Sequence, residues 1–325
     1  MAALAPAPTS RSRKLAILWL SFVVVAAALA TVLPLPYLPG TPDLAHVAQP
    51  PFRSAQHWLG TDPQGRDVLS VLVFGARTAV LLTLPAAVLA AVLGALAGGA
   101  AGFWGNGLRV ALPYWWLAAG GGWWAIGLPT PALGLAAAVL GAGTTLVLWQ
   151  RKRVLPTWSV PLNAAVMGAA TALDTIPRLV LVVALAAGAG VSTPGLLVLL
   201  TLTAWPHPAR LVRAQMLRVR ALPFVEAAQA AGVPAWQVWL KHAMPHAVQP
   251  LRTALPLSVA GLLGLESTLS FLGIGLPPDV ASWGRLMATI REAPEAWWVF
   301  IFPSILLLST TLSLNSLGQK PNTVA

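Results

Sequence analysis

Residues 76–101 read ARTAVLLTLPAAVLAAVLGALAGGAA, and this stretch decides the fold class of the chain. It carries one charged side chain, Arg77, which lies near its start. About 20 mostly apolar residues are enough to cross a hydrocarbon core of roughly 30 Å. The stretch therefore predicts a transmembrane helix. Gly94, Gly98 and Gly99 predict a face on which another helix can pack closely.

The composition of the whole chain agrees with this interpretation. Hydrophobic residues make up 57% of the 325 residues and charged residues only 9%, against roughly 25% charged in a soluble domain. A soluble globular enzyme and a disordered chain are both excluded, since neither has this apolar content. The chain has no cysteine, which excludes disulfides and thiolate ligands.

Further apolar runs extend the prediction to an all-α, polytopic transmembrane helix bundle. They lie at about 15–33, 162–187, 194–205, 255–272 and 298–317, and two shorter runs lie within 110–148. We expect eight crossings, or about six core helices with a re-entrant inserted hairpin. The predicted segments are a cytoplasmic tail (1–14), a first helix (15–33), an extracytoplasmic segment (34–75), a second helix (76–105), a Trp-rich apolar hairpin (106–160) and the remaining core (161–320) with a polar loop at 210–250.

The positive charges give the orientation, because Lys and Arg collect in cytoplasmic loops. With the N-terminus inside, about five of these residues fall outside and thirteen fall inside: Arg11, Arg13, Lys14, Arg109, Arg151, Lys152, Arg153, Arg210, Arg213, Arg218, Arg220, Lys241 and Lys320. The formal net charge of +11 is therefore a topology signal, and we expect no nucleic-acid partner.

The sequence predicts no catalysis by this chain. It contains no phosphate-binding Gly-x-x-x-x-Gly-Lys-Ser/Thr loop, no His-Glu-x-x-His and no Gly-x-Ser-x-Gly. His242 and His246 are four residues apart, but no carboxylate or third ligand is near them in sequence. We therefore predict no metal site.

The 210–250 loop has the local signals of a helix, a turn and a second helix. Pro223 suits the first turn of a helix, and Glu226 lies where it favours the positive end of the helix dipole. Gly232 suits a left-handed stop, and Pro234 suits the start of the next helix. These signals predict a compact unit with small side chains that can dock on another protein.

The spacing within this loop is that of a known motif. Glu226-Ala227-Ala228 is followed after three residues by Gly232, and after nine more by His242-Ala-Met244-Pro245. This resembles the EAA loop of ABC importer permeases. The resemblance implies a type I permease-like bundle whose loop lies in a groove of an ATPase subunit.

Two further motifs resemble those of dipeptide, oligopeptide and nickel permeases of the C type. One is His57-Trp-Leu-Gly60-Thr61-Asp62-Pro-Gln-Gly65-Arg66-Asp67, and the other is Leu269-Ser-Phe-Leu-Gly-Ile-Gly275 with Ser282-Trp283-Gly284. The resemblance implies a permease of the cell inner membrane that imports peptides or a related solute, which the sequence does not name. Its implied partners are a B-type permease, two ATP-binding subunits, which hold ATP and Mg, and an extracytoplasmic solute-binding protein.

Ionisable residues in predicted spans are functional candidates, since charge is costly in lipid. Asp174 and Arg178 are four residues apart and are expected to pair along one helix face, or to contact solute. Glu266 is expected at the pathway or a gate, or in a helix–helix hydrogen bond. An alternative function is an ion-gradient-driven secondary transporter that uses Asp174 and Glu266, although we see no inverted repeat of the kind such transporters contain.

The outer signature Gly60, Thr61, Asp62, Gly65, Arg66 and Asp67 is expected to hold the shape of the extracytoplasmic segment, with Gly60 and Gly65 turning the chain. Its other interpretation is a docking site for the binding protein.

Overall fold

The computed structural model describes residues 10–35, 37–111, 157–189 and 192–319. It divides into two compact units, Met1–Phe103 with Val166–Ala325, and Trp104–Ala165. The elements are α1 (Ser10–Leu29), α2 (Val68–Trp104), β1 (Leu108–Ala111), β2 (Thr157–Val160), α3 (Leu162–Thr175), α4 (Arg178–Ala189), α5 (Thr193–Ala204), α6 (Pro206–Val219), α7 (Pro223–Ala230), α8 (Ala235–Gln237), a π-helix (Val238–Ala243), α9 (Met244–Ala247), α10 (Leu251–Phe271), α11 (Trp283–Ala288), a 3₁₀ turn (Thr289–Arg291) and α12 (Trp298–Gly318).

The predicted all-α membrane bundle is confirmed. Within the described residues, four helices are long and apolar enough to cross a membrane, namely α1, α2, α10 and α12, and α3 with α4 makes a fifth if this bent pair is one span. In the first unit α12 packs against α1 and α10, and α11 packs against both α10 and α12. Most of the predicted 110–148 hairpin lies outside the described residues, so the expectation of eight crossings stays a prediction. The same holds for residues 1–9 of the predicted tail.

The run predicted as one helix over 162–187 is two helices that are bent by 84°. Thr175 ends α3 and Arg178 begins α4, with Ile176 and Pro177 between them. Pro177 has no amide hydrogen to continue the helix, and its ring disfavours the helical conformation of Ile176. The mean hydropathy of residues 162–187 does not reveal this break, because it ignores the local conformation at Pro177.

Helix α2 begins at Val68, eight residues before the predicted start at 76. The carboxylate of Asp67 accepts the Ser70 N–H at 2.8 Å and so satisfies a free donor of the first turn. At 1.5 Å per residue, the 37 residues of α2 extend over about 55 Å, which is longer than a hydrocarbon core of roughly 30 Å. The helix therefore reaches beyond the apolar part of a membrane.

The glycine face of α2 packs against α6, as predicted. A Cβ atom built on Gly94 would lie 2.7 Å from Cβ of Pro208, and one built on Gly98 would overlap the backbone of Ala209. Since only glycine permits this approach, the two helices meet through their backbones rather than through side chains.

Helix α5 continues almost directly into α6. Only Trp205 separates them, and it keeps right-handed helical dihedral angles (φ −65°, ψ −23°). The apolar α5 thus leads through one residue of helical conformation into α6, which carries Arg210, Arg213 and Arg218.

In the second unit, the ends of the predicted insertion pair as a short antiparallel sheet, with Leu108 opposite Val160 and Ala111 opposite Thr157. This pairing is the exception to the helical prediction within the described part of the chain.

Candidate functional site

We call residues 210–250 the coupling segment, which is the loop with the EAA spacing. Its helix α7 begins as predicted: Leu222 is extended (φ −84°, ψ 144°), Pro223 takes the first helical position and Glu226 lies in the first turn. Because Pro223 has no N–H, it leaves one fewer unsatisfied donor at the helix start.

The turn after α7 is a Schellman motif centred on Gly232. The Val233 N–H bonds the Ala228 carbonyl at 3.2 Å, and the Gly232 N–H bonds the Gln229 carbonyl at 3.0 Å. Gly232 has φ +77°, the left-handed conformation that this motif requires. The predicted helix stop is confirmed.

The second arm of the coupling segment is less regular than predicted. Helix α8 passes into the π-helix Val238–Ala243 before α9, which contains Pro245. Pro245 cannot donate to the carbonyl of Lys241, so a wider turn precedes it, with the Met244 N–H bonded to the carbonyl of Trp239. His242 and Pro245 are exposed, whereas Met244 is buried.

The coupling segment has a buried face and an exposed face. The buried face forms one apolar cluster with Ala95 of α2, and the other members of that cluster all lie within the segment: Val212, Met216, Val219, Val225, Val238, Ala243, Met244 and Ala247. Glu226, Ala227, Trp236 and Leu240 are exposed. Two large apolar side chains of this segment, Trp236 (55% exposed) and Leu240 (47% exposed), therefore lie on its exposed side.

Two contacts join the coupling segment to α2. Arg220 donates to the carbonyl oxygens of Gly102 and Phe103, at 3.2 Å and 3.4 Å, and so occupies the negative end of the α2 dipole. A Cβ atom on Gly99 would lie 2.6 Å from Sδ of Met244, so this glycine of α2 admits the buried methionine. The sequence had indicated Arg220 only as a positive charge, because its partners are more than a hundred residues away.

The outer signature folds around Asp62. Its carboxylate accepts the N–H groups of Gln64 and Arg66, at 2.9 Å and 2.8 Å, and the Nε–H of Arg66 at 2.7 Å. Gly60 and Gly65 both have positive φ, +80° and +78°. These contacts agree with the expectation that the signature holds its own shape.

Thr61 and Asp67 join the signature to other parts of the chain. The carbonyl of Thr61 accepts the indole N–H of Trp298 at 2.9 Å, which links the loop to the start of α12. The Thr61 hydroxyl bonds the carbonyl of His46, and Asp67 bonds Nδ1 of buried His57 at 3.1 Å. The sequence could not indicate Trp298, since more than two hundred residues separate it from Thr61.

A second carboxylate, Asp43, lies beside these histidines. A hydrogen bond from His46, and then one from the Ala45 N–H, lower the pKa of Asp43 to about 2. Asp43 and His46 were not among the predicted site residues.

Glu266 lies inside the bundle, where it is 2% exposed. Its carboxylate accepts hydrogen bonds from the hydroxyls of Ser270 (2.8 Å), Ser282 (3.0 Å) and Ser267 (3.3 Å). Ser282 immediately precedes α11, so Glu266 joins α10 to α11. This geometry is that of the predicted helix–helix hydrogen bond.

The neighbouring Trp283 fastens α11 to α2. Its indole N–H donates to the carbonyl of Leu72 at 2.9 Å, and its ring occupies the space that a Cβ on Gly75 would need, with Cδ1 only 2.6 Å away. The Ser-Trp-Gly element therefore packs α11 against α2.

Asp174 does not pair along one helix with Arg178 as expected. It forms an ion pair with Arg210 of α6, because the bend at Ile176–Pro177 ends the helix between Asp174 and Arg178. Arg178 instead lines a cavity of about 190 Å³ together with His207 and Ser258.

Comparison with known proteins identifies the class of this molecule. Residues 157–319 match the family described as "Binding-protein-dependent transport system inner membrane component". The chain is 30% identical over 314 residues to a Brucella suis protein named "Putative peptide transport system permease protein". The aligned residues cover 95% of this chain and 85% of that protein. The chain therefore belongs to this family of ABC importer permeases.

One further relative and one solved structure also match the chain. The Escherichia coli K12 protein "Probable D,D-dipeptide transport system permease protein DdpC" is 26% identical over 92% of this chain and 83% of its own length. A solved structure of the MetNI methionine ABC transporter, described as inward facing, matches with a TM-score of 0.50 and 18% identity over 76% of this chain and 93% of that chain. At this identity the likeness to the solved structure supports the fold alone. The family matched by sequence is one of membrane permeases rather than catalytic subunits.

Proposed function

We propose that this chain is the permease subunit of an ATP-driven importer for peptides, and that the coupling segment transmits the motion of the ATPase subunits. The observation that carries the proposal is a helix–turn–helix unit with EAA spacing, which exposes Glu226, Ala227 and Trp236 and packs its other face on α2 and α6. Relatives named for peptide and D,D-dipeptide transport support the substrate class.

The proposed mechanism is a coupling between two sites, with no chemistry in this chain. ATP-bound partner subunits close, carry the coupling segment with them and rock the spans from inward-open to outward-open. The Arg220 contacts and the glycine face of α2 support this transmission, since both give the segment a direct hold on a membrane-spanning helix. ATP and Mg belong to the partner subunits.

The remaining partners are a B-type permease that forms a heterodimer with this chain, two ATP-binding subunits, an extracytoplasmic binding protein and membrane lipid. In this arrangement the N-terminus and the coupling segment are cytoplasmic. Arg210, Arg213, Arg218, Arg220 and Lys241 support that side for the coupling segment.

The alternative function, a secondary transporter driven by an ion gradient, is not favoured, because the two carboxylates that it would use already have partners. Glu266 already accepts three serine hydroxyls, and Asp174 is paired with Arg210. A proton or sodium site would have to displace these partners.

Site-directed crosslinking tests the docking of the coupling segment. The chain has no cysteine, so Gln229→Cys gives a single attachment point for a maleimide-linked photocrosslinker on the exposed side of α7. We expect ATP-dependent crosslinks to an ATPase subunit from this position. Gln56→Cys is the matched control, since Gln56 is also exposed but lies in the predicted extracytoplasmic segment. Crosslinks to the ATPase from Gln56 only, or from neither position in the assembled transporter, would overturn the proposal.

A transport assay tests the substrate class. Proteoliposomes that contain the assembled importer and its binding protein are expected to take up a labelled dipeptide when ATP is present. Uptake driven by a proton gradient without ATP would instead support the secondary transporter.

A further inference from the structure

The extracytoplasmic segment brings together a carboxylate and two imidazoles that are not adjacent in sequence. One ligand atom from each of Asp43, His46 and His57 lies within 4.8 Å of the other two. Two nitrogens and one carboxylate oxygen are a donor set that zinc takes in proteins.

The Asp43 carboxylate is oriented by its own backbone. Its Oδ1 accepts the N–H of Ala45 at 3.0 Å, which leaves Oδ2 to face the two rings. Oδ2 lies 2.9 Å from Nδ1 of His46 and 3.4 Å from Nε2 of His57. With metal–ligand bonds of about 2.0–2.2 Å, one ion can reach all three atoms after small side-chain shifts.

The buried imidazole is held by partners typical of metal-bound histidine. Nδ1 of His57 bonds Oδ1 of Asp67 at 3.1 Å, while Oδ2 of Asp67 accepts the Ser70 N–H at 2.8 Å. Tyr37 stacks on the His57 ring with a centroid distance of 4.5 Å. A carboxylate behind a histidine selects the tautomer whose Nε2 lone pair faces the metal.

The cluster is closed on the inside and open on the outside. Side-chain exposure rises from 0% at His57 and 3% at Asp67 to 19% at Asp43 and 43% at His46. In the part of the chain that the structure describes, the only ion-pair partners of Asp43 and Asp67 are these histidines, so the two carboxylates attract a cation. The exposed side leaves room for water as a fourth ligand.

We propose that Asp43, His46 and His57 bind a divalent transition-metal ion of the zinc class, with Asp67 as the positioning residue behind His57. The ion takes the place between Oδ2 of Asp43 and the two facing imidazole nitrogens, and any proton that these ligand atoms carry is released to solvent on binding. Mg²⁺ and Ca²⁺ are not expected to compete, because they prefer all-oxygen sites.

A bound ion would fasten one half of the outer segment to the other. Backbone hydrogen bonds already join them, from Asp43 N to Gly65 O at 2.8 Å and from Ala48 N to Asp62 O at 3.1 Å. The ion adds a link from residues 43–46 to His57, which Asp67 of the outer signature holds. This site goes beyond the proposed transport function and does not depend on it.

The test uses the full chain in lipid nanodiscs, with an affinity tag that contains no histidine. After chelator treatment, Zn²⁺ is titrated against a chromophoric competitor and the melting temperature is followed. We expect one Zn²⁺ per chain, a rise in Tm that saturates with Zn²⁺ and no such rise with Mg²⁺.

Three variants separate a built site from adventitious binding. His46→Asn is expected to weaken Zn²⁺ binding at least about tenfold, and Asp67→Asn about 10–100-fold while its amide oxygen still caps α2. His242→Asn is the matched control, an exposed histidine of the coupling segment, and is expected to bind as the wild type does. The proposal is overturned if the wild-type chain retains no Zn²⁺, if His46→Asn binds as tightly as His242→Asn, or if Mg²⁺ raises Tm equally. These readouts do not involve transport, so they remain valid if the importer assignment fails.

Discussion

The stop at Gly232 gives the sharpest test of how the coupling segment works. Its φ is +77°, and a Cβ atom built there meets nothing within 4 Å. A substitution therefore acts through backbone strain and not through collision within this chain. An ordinary L-residue in this conformation costs roughly 1–2 kcal/mol, and asparagine less. That energy changes the ratio of native to non-native turn by a factor of about 5–30.

We expect coupling to fall in the order Gly232, Gly232→Asn, Gly232→Ala, Gly232→Val. Valine comes last because a β-branched side chain fits the left-handed region worst. The measurement is ATP-dependent solute uptake per ATP hydrolysed by the importer reassembled in proteoliposomes. Gly264→Ala is the matched control, since a Cβ at Gly264 also meets nothing within 4 Å but the residue lies inside helix α10 without positive φ.

The order of asparagine and alanine decides the outcome. Asparagine is larger than alanine, so an effect of side-chain size would reverse the two. Wild-type coupling in Gly232→Val, or better coupling in Gly232→Ala than in Gly232→Asn, would refute the strain argument.

Three further predictions concern packing inside the bundle. Gly98→Ala is expected to lower Tm because the new Cβ overlaps the α6 backbone, even though alanine favours a helix by about 1 kcal/mol over glycine. In the control Gly264→Ala, where the Cβ meets nothing, Tm should stay unchanged or rise. Equal Tm values for the two variants would contradict this prediction. Trp283→Phe removes the bond to the Leu72 carbonyl and should destabilise the chain by about 1 kcal/mol in thermal unfolding, so an unchanged Tm would count against that contact. Glu266→Gln keeps an acceptor oxygen and should retain uptake. Glu266→Ala leaves buried hydroxyls without an acceptor and should lower stability by about 1–3 kcal/mol. Loss of uptake in Glu266→Gln at normal Tm would indicate a gate or proton site instead.

Local features of the coupling segment could be predicted because their causes are local. Pro223 and Gly232 act on their own dihedral angles, so their positions in the chain were enough to predict a helix start and a stop. The glycine face of α2 was predictable for a similar reason, since a missing Cβ permits close approach by any partner helix.

Partners of charged side chains could not be predicted in the same way. Asp174 was expected to pair with Arg178, four residues away, but a bend at Pro177 separates them and Arg210 is the partner instead. Helical spacing assumes a continuous helix, and the sequence alone does not show where the following helix returns.

The apolar spans, the turn chemistry and the motif spacing follow from the order of the residues, because composition and backbone preference act within a few residues. Tertiary packing, in contrast, brings Ser282 to Glu266 and Arg220 to the end of α2. It also brings His57 to Asp43 and His46, whereas the sequence predicted no metal site. Ser282 lies 16 residues from Glu266, His57 lies 14 residues from Asp43 and Arg220 lies 118 residues from Gly102, so folding and not local backbone preference sets these distances of about 3 Å.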